Sequence, residues 1–234
     1  MSKREDYLFS RLEKKDVKLQ HVAEVGVYMP ETSNIRAFAK AGTRSTFVEP
    51  DPDSIKAVNT FFAGMGNVTV YPVAVFDKSG SVELVQRKAS TYLKVLDSSP
   101  AIINDEYQLD DKDTFTVNAV TFDEIDDGSI DLLSIDIEGG EWFVIKHMVS
   151  HPLVLSIETH GAIYTNPYMK EIDQWIADND YIVWYKDGSD TVYVKKELFS
   201  LTFQDKFNLF TTGVGLGAKK WRKLIKRKIK NLFA

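Results

Sequence analysis

The stretch that decides the fold is Asp131-Leu-Leu-Ser-Ile-Asp-Ile-Glu-Gly-Gly-Glu-Trp142. It begins with an apolar run that has the length of a strand buried on both faces. Acidic residues follow the run directly, and two glycines then break the strand before a helix that we expect to begin near Glu141. A buried strand, a polar turn and a helix form the repeating unit of an alternating α/β domain.

The same unit recurs on both sides of this stretch. Apolar runs predict strands at residues 22–27, 45–48, 68–75, 131–137 and 153–157, and helices are expected at 33–41, 53–63 and 169–178. Residues 81–87 and 115–120 alternate like two further strands that pair with each other. The Asp187-Gly188 pair predicts an antiparallel hairpin between residues 181–185 and 191–194. The sequence therefore predicts an α/β fold with a mostly parallel sheet and a terminal antiparallel hairpin.

Composition excludes several classes of protein. The chain has 234 residues, of which 44% are hydrophobic and 27% charged, as is usual for a folded globular protein. It contains no cysteine, which excludes disulfides, thiol catalysis and cysteine-ligated zinc. Residues 1–20 hold no apolar segment typical of a signal peptide, and no run approaches the length of a membrane span. We therefore expect a cytoplasmic protein.

Charge divides the chain into two parts. Of the 29 Lys and Arg residues eight lie in residues 218–234, whereas all 34 Asp and Glu residues precede this segment, so residues 1–217 carry a net charge of −13. We expect one domain over residues 1–210, a glycine-rich hinge at 211–217 and a basic tail at 218–234. Residues 98–113 are strongly acidic and are interpreted as a surface loop, or alternatively as a lid over a substrate.

The tail has the pattern of an amphipathic helix. Its apolar residues fall on one arc when plotted at 100° per residue: Trp221, Leu224, Ile225, Ile229 and Leu232. Most basic residues lie on the opposite side, a pattern typical of helices that bind an anionic membrane surface. Two alternatives are docking on the acidic part of this chain or of a second copy, and binding of nucleic acid. The acidic body disfavours nucleic acid, since it would repel phosphates.

Polar residues at the predicted strand ends are candidates for a binding site, because doubly wound sheets bind ligands there. The first strand ends near Glu24, Gly26 and Tyr28, the second at Glu49, the fourth at Asp136, Glu138 and Glu141, and the fifth at Glu158 and His160. Taken singly, Glu49 could cap a helix, Glu141 could stabilise a helix N-terminus and His160 could be structural. Together they predict one polar site, with Glu49 placed to accept the hydroxyl protons of a ribose.

These segments resemble the FkbM-type methyltransferases. The resemblance covers residues 22–194, and its most specific element is the string Asp136-x-Glu138-Gly139-x-Glu141, supported by Glu49-Pro50. It implies a Rossmann-like class I methyltransferase fold with a seven-stranded sheet and S-adenosylmethionine as cofactor. By this resemblance Glu49 would hold the ribose, Val73, Ala74 and Val75 would lie beside the adenine, and Asp136 would face the methionine end.

One departure from the family pattern falls in the first loop. The family usually has D-x-G-A-x-x-G there, whereas this chain has Glu24 in place of the aspartate and Pro30 in place of the second glycine. Proline fixes φ and lacks an N–H, so the loop must hold a cofactor differently or less tightly. A binding module for nucleotides or glycans that lacks catalytic activity is therefore one alternative.

The resemblance favours O-methylation of a sugar or glycan hydroxyl in surface polysaccharide or glycolipid biosynthesis, or alternatively of a small natural product. Removal of the hydroxyl proton requires a base, and we expect His160 to act as the base or as a ligand, assisted by Asp136 and Glu158. The same three residues could instead hold Mg²⁺. Glu138 is expected to contact the acceptor. The segment Ser90-Thr91-Tyr92 either contacts the acceptor as well or forms an exposed turn.

Overall fold

The computed structural model describes residues 7–87, 90–96, 103, 113–161 and 164–232. Its helices are α1 Tyr7–Glu13, α2 Arg36–Lys40, α3 Pro52–Phe61, α4 Glu141–Ile145, α5 Met169–Asp178 and α6 Phe203–Leu232. Its strands are β1 His21–Val25, β2 Arg44–Val48, β3 Val68–Tyr71, β4 Ala74–Val75, β5 Gly80–Arg87, β6 Ser90–Leu93, β7 Thr114–Val120, β8 Leu132–Ile135, β9 Val154–Glu158, β10 Tyr181–Asp187 and β11 Asp190–Lys195. The acidic segment interpreted as a loop or lid lies outside the described residues, apart from Ile103 and Asp113.

The central sheet has seven strands in the order β10-β11-β9-β8-β1-β2-β3. Strands β9, β8, β1, β2 and β3 are parallel to one another, and β11 is antiparallel to both β9 and β10. The strand order reverses between β1 and β8, and such a switch point is where open α/β sheets bind ligands. The predicted class I methyltransferase fold, with its terminal hairpin, is confirmed.

The sheet is covered on both faces. Val22 and Leu132 point into a core shared with α1, α2 and α3, whereas Ala23 and Leu133 point into a second core shared with α4 and α5. Neighbouring residues of one strand thus enter different cores, because side chains alternate across a strand. Burial on both faces is consistent with the apolar residues at most positions of β8 and β9.

A second sheet, with strand order β4-β7-β5-β6, adds a wall beside the first. Strand β5 pairs with β7 in antiparallel fashion, which confirms the predicted pairing of the two alternating segments. The single strand predicted at residues 68–75 is wrong, because β3 belongs to the central sheet and β4 to the second. Pro72 lies between them, and proline cannot donate a hydrogen bond to a strand ladder.

The short helices near the site begin differently from the prediction. Asp51 caps α3 by accepting hydrogen bonds from the backbone N–H groups of Asp53 and Ser54, both at 2.9 Å. Helix α2 begins at Arg36 without a side-chain cap. Ser33, the first residue of the helix predicted at 33–41, donates its hydroxyl proton to Glu24. Helix α2 therefore begins three residues later than the sequence indicated.

The C-terminal helix α6 starts 15 residues before the predicted tail and continues through residues 211–217. Residues 211–217 are thus helical, and a hinge at this glycine-rich segment stays a prediction. Near its start Asp205 accepts hydrogen bonds from Arg11 Nη2 at 2.9 Å, Lys15 Nζ at 3.1 Å and Trp184 Nε1 at 3.3 Å. These contacts join α6 to α1 and β10. Helix α1 was not predicted, because its buried face contains only Leu8 and Leu12.

Candidate functional site

A cleft with a volume of about 190 Å³ opens where β1, β2 and β8 end. The second sheet forms its other wall through β4, β5 and β6. All of the residues predicted to bind the cofactor line this cleft, namely Glu24, Gly26, Tyr28, Glu49, Pro50, Ala74, Val75 and Asp136. The structure therefore brings together the predicted cofactor residues at the switch point of the sheet.

Gly26 lies where the backbones of two loops approach each other most closely. Its φ of +85° is in the left-handed region, and a Cβ atom would lie 1.8 Å from the carbonyl oxygen of Asp136. Any larger residue would force the loops after β1 and β8 apart. Tyr28 also has a positive φ, 49°, and is exposed at the cleft, whereas Pro30 is buried. The loop thus turns into the protein at the position where the family pattern has its second glycine.

Two buried carboxylates hold this loop. Glu49 Oε2 accepts hydrogen bonds from the N–H groups of Val27 at 2.8 Å and Tyr28 at 3.0 Å. Glu24 accepts from the Ser33 hydroxyl and from the Asn34 N–H, the latter at 2.9 Å. Burial raises the pKa of Glu24 to about 7 and also raises that of Glu49. Glu49 also accepts a hydrogen bond from the Asp51 N–H. Three of the four lone-pair positions of its carboxylate are therefore occupied, and one remains for a ligand.

Three carboxylates meet beside the cleft, which only Asp136 lines, and we call Asp136, Glu141 and Glu158 the carboxylate cluster. One oxygen from each lies within 4.8 Å of the others. Glu141 Oε1 accepts the N–H groups of Ile137 at 3.0 Å and Gly139 at 3.1 Å, and its Oε2 accepts from the Asn166 amide. Glu141 therefore stabilises the turn before α4 and at the same time contributes to the cluster.

Burial dominates the electrostatics of the carboxylate cluster. It raises the pKa of Glu141 to about 7, and together with the charge of Asp136 it raises the pKa of Glu158 far above its ordinary value. Asp136 is exposed at the cleft. Partial loss of hydration at the cleft wall and the carboxylate of Asp190 raise its pKa as well. A group of carboxylates that resist ionisation together attracts a proton or a cation.

His160 lies outside this cleft. Its Nδ1 is 2.9 Å from the Thr159 hydroxyl, and its Nε2 is buried with no hydrogen-bond partner among the described residues. Burial and the positive charges of Lys186 and Lys220 lower the pKa of His160 to about 4. The structure places Glu141, not His160, beside Asp136 and Glu158, so the predicted metal-ligand set is wrong in its third member. The predicted catalytic role of His160 stays a prediction.

Three of the four residues predicted to contact the acceptor line the cleft. Thr91, Tyr92 and Glu138 line the cleft, and Ser90 is the first residue of β6. Tyr92 is almost fully buried and Glu138 has a φ of 58°. The segment 90–93 is thus a strand that forms a wall of the cleft, and the alternative of an exposed turn is wrong.

Two polar residues at this site, Asn34 and Asp190, were not among the predicted ones. Asn34 lines the cleft and donates its side-chain amide to Ser134 Oγ at 3.0 Å and to Asp190 Oδ2 at 3.2 Å. Asp190 follows the hairpin turn, so the sequence indicated only a role in that turn. Its register opposite Glu158, which brings it toward the site, depends on the pairing of β11 with β9. Asn34 could have been found, since it follows the first loop closely in sequence.

The family comparison agrees with this geometry. The model of the methyltransferase FkbM domain matches residues 20–183. The chain belongs to the FkbM methyltransferase family. The matched region contains every residue that lines the cleft, from Glu24 to Glu138. The protein is therefore a methyltransferase that depends on S-adenosylmethionine, as the resemblance implied.

None of the curated proteins matches this chain in sequence. Solved structures with a similar fold include the ribosomal protein L11 methylase of Lactobacillus delbrueckii subsp. bulgaricus, at 13% identity and a TM-score of 0.39, covering 80% of this chain and 76% of that one. Another is the Aeropyrum pernix fibrillarin with natively bound S-adenosyl-L-methionine, at 12% identity and a TM-score of 0.39, covering 80% and 72%. A third is an uncharacterised protein of Listeria monocytogenes serotype 4b, at 13% identity and a TM-score of 0.43, covering 97% and 86%.

The residues of the FkbM methyltransferase cleft suit its cofactor. Apolar side chains of Val73, Val75 and Leu84 form a wall that an adenine ring could contact. Glu49 lies at the end of β2 with an acceptor position left for a ribose hydroxyl. Asp136 and Glu24 supply negative charge that a sulfonium or ammonium group would compensate. The donor and acceptor set therefore fits S-adenosylmethionine in spite of Pro30.

Proposed function

We propose that this methyltransferase transfers a methyl group to a hydroxyl oxygen of a sugar or glycan, in the synthesis of a surface polysaccharide or glycolipid. The observation that carries the proposal is the set of carboxylates beside the cleft, next to the position expected for the methionine end of the cofactor. A hydroxyl is a poor nucleophile until it loses its proton, and carboxylates can accept both that proton and hydrogen bonds from neighbouring sugar hydroxyls.

When bound, S-adenosylmethionine supplies an electrophilic methyl group on a sulfonium. Asp136 is the member of the carboxylate cluster that lines the cleft, so it is proposed to accept the proton of the acceptor hydroxyl. Its raised pKa makes the ionised form a stronger base than an ordinary carboxylate. Glu158 is proposed to hold Asp136 in position. Glu138, Thr91 and Tyr92 would contact the acceptor from the walls.

His160 is the second candidate for the base. Its lowered pKa keeps the imidazole neutral at pH 7, and a neutral imidazole can accept a proton. Because its Nε2 is buried, an acceptor reaches it only if the neighbouring segment moves. The variants Asp136→Asn and His160→Ala separate the two candidates, and His151→Ala, an exposed histidine, is the matched control.

The experiment uses radiolabelled methyl groups on S-adenosylmethionine and a panel of oligosaccharide and small-molecule acceptors. We expect Asp136→Asn to lower turnover by about 100-fold or more while the control leaves it unchanged. Cofactor binding is measured separately by calorimetry. Loss of turnover in His160→Ala alone would transfer the role of base to His160. Methylation of small phenolic or polyketide acceptors but no sugar would favour the natural-product alternative. Failure to bind the cofactor would favour a binding module that lacks catalysis.

We also propose that α6 attaches the enzyme to an anionic membrane surface. Asp205, Leu209, Thr212, Leu216 and Lys220 form the partly buried face of α6. The opposite face is apolar and exposed, with 83% of Phe203, 70% of Phe210 and 67% of Trp221 accessible, and with Phe207 and Val214 between them. An apolar stripe opposite the body, followed by eight basic residues, complements an anionic lipid surface. Among the helices of the described residues, none combines the length and apolar composition of a membrane span.

Flotation with liposomes tests this attachment. The full chain should float with vesicles that contain phosphatidylglycerol and less with purely zwitterionic vesicles, because each basic residue near an anionic surface contributes about 1 kcal/mol. Replacing Phe210 and Trp221 by serine should reduce flotation, and Asn208→Ala, on an exposed polar position of the same helix, should not. Equal flotation of the double variant and the unchanged chain would contradict the proposal.

A further inference from the structure

The carboxylate cluster contains a buried oxygen that no donor satisfies. Glu158 is only 7% exposed. Its Oε2 has no hydrogen-bond partner among the described residues. The same residue offers an oxygen within 4.8 Å of oxygens of Asp136 and Glu141. A buried carboxylate oxygen without a donor is costly, so a proton or a cation is expected to compensate it at this position.

Among the described residues, no cationic side chain forms an ion pair with Asp136, Glu141 or Glu158. Three acidic groups from the ends of β8, α4 and β9 are thus held together without an ion-paired lysine or arginine in the part of the chain that the structure describes.

The geometry points to a divalent cation of the Mg²⁺, Mn²⁺ and Ca²⁺ class, bound by Asp136, Glu141 and Glu158. Carboxylate oxygens are the ligands that these hard cations prefer. Glu141 is oriented by the backbone N–H groups of Ile137 and Gly139 and by the Asn166 amide. Such hydrogen bonds to a ligating carboxylate are common around metal sites, where they fix the direction of the ligand.

The cation would lie beside the cleft, where it could take part in catalysis. Only this catalytic role rests on the proposed function; the binding of the cation does not. Asp136 belongs both to the carboxylate cluster and to the lining of the cleft, so a cation held there borders the space for an acceptor. A divalent cation lowers the pKa of a hydroxyl that it contacts, and it also orients the oxygen. His160 is not needed for this site, in contrast to the ligand set that the sequence indicated.

Calorimetry on the full chain, freed of metal with a chelator and without cofactor or acceptor, tests the site. Mn²⁺ is the first probe, followed by Mg²⁺ and Ca²⁺. We expect one Mn²⁺ per chain, and a rise in Tm of about 5 °C or more at a concentration 100-fold above Kd. Glu158→Gln should weaken binding by at least about 10-fold. Glu171→Gln, an exposed acidic position on α5, is the control and should leave binding unchanged.

The outcomes distinguish this inference from the proposed function. No binding of any of the three cations to the unchanged chain would overturn it, whatever the methylation assays give. Binding that is equally strong in Glu158→Gln and in Asp136→Asn would place the cation elsewhere and would overturn it as well. Binding that both variants weaken supports it, even if no sugar is methylated. Because the first readout uses the unchanged chain, it does not depend on whether a variant folds.

Discussion

Replacing Gly26 by alanine tests whether the close approach of two loops builds the cofactor cleft. The new Cβ would lie 1.8 Å from the carbonyl oxygen of Asp136 and 2.7 Å from its carbonyl carbon. Ordinary contacts between such atoms are about 3.5 Å, so the loop after β8 must move by more than 1 Å, which is the order of the shortfall. Since Asp136 belongs to that loop, the shift also displaces a cleft residue.

The energetic cost of Gly26→Ala has two parts. A left-handed φ costs an alanine about 1–2 kcal/mol, and overpacking adds about 1–3 kcal/mol. Gly42 supplies a matched control, because its φ is +91° but a Cβ there would meet nothing within 4 Å. Gly42→Ala should therefore show only the backbone part. The difference between the two variants measures the close approach itself.

Thermal unfolding and calorimetry with S-adenosylmethionine measure the two consequences. For a domain of this size 1 kcal/mol shifts Tm by about 2–4 °C, so we expect Gly26→Ala to melt about 5 °C below Gly42→Ala. Cofactor affinity should fall about 10-fold or more in Gly26→Ala, a loss of 1.4 kcal/mol or more, and should be unchanged in Gly42→Ala. Equal melting of the two variants, or unchanged cofactor binding in Gly26→Ala, would refute the reasoning.

Three further predictions concern Glu24, Asp205 and the glycines of α6. The folded state raises the pKa of Glu24 from 4.5 to about 7, so it holds the proton more tightly than the unfolded chain, and stability should fall as pH rises across this window. In Glu24→Gln the decrease in the free energy of unfolding between pH 5 and pH 8 should be smaller by up to about 3 kcal/mol, measured by urea unfolding. The same decrease in the variant and in the unchanged chain would contradict this. Asp205→Ala leaves Arg11 and Lys15 without their carboxylate and should cost on the order of 3 kcal/mol in urea unfolding, whereas an unchanged midpoint would show that α6 is not anchored there. Gly215→Ala has open space at its Cβ and should stabilise a continuous helix by about 0.5–1 kcal/mol, with higher helicity in circular dichroism; lower activity without added helicity would favour a hinge.

The sequence was sufficient for the elements of the central sheet, because strands buried on both faces leave a strong apolar signal. It was insufficient where one apolar run serves two sheets. Residues 68–75 look continuous, and only Pro72 marks the point where the chain passes from β3 to β4. For the glycine-rich segment of α6 the sequence favoured a hinge, whereas the segment is helical in the structure. Glycine is a poor helix former, but the anchoring of Asp205 and the flanking helical residues outweigh three glycines.

In the candidate site, the sequence predicted the positions of the acidic residues but not the direction of their side chains. Strand ends predicted which acidic residues gather at one edge, because parallel strands end together. They did not predict which side chains converge, since that depends on the turn after each strand. Glu141 turns back toward Ile137 and Gly139 and so reaches Asp136 and Glu158. His160 follows Glu158 by two residues but lies at a bridge with Thr165, outside the cleft.

The separation of charge in this chain is consistent with its two proposed ligands. The acidic body would be repelled by an anionic membrane, so contact through the outward face of α6 would leave the rest of the protein away from the lipid. On the opposite face Lys220 donates a hydrogen bond of 2.6 Å to Thr165, next to His160. The helix that would carry the membrane contact therefore also touches the segment beside the site. Attachment of the proposed glycan acceptor to a lipid would bring it to the membrane surface that α6 is proposed to contact.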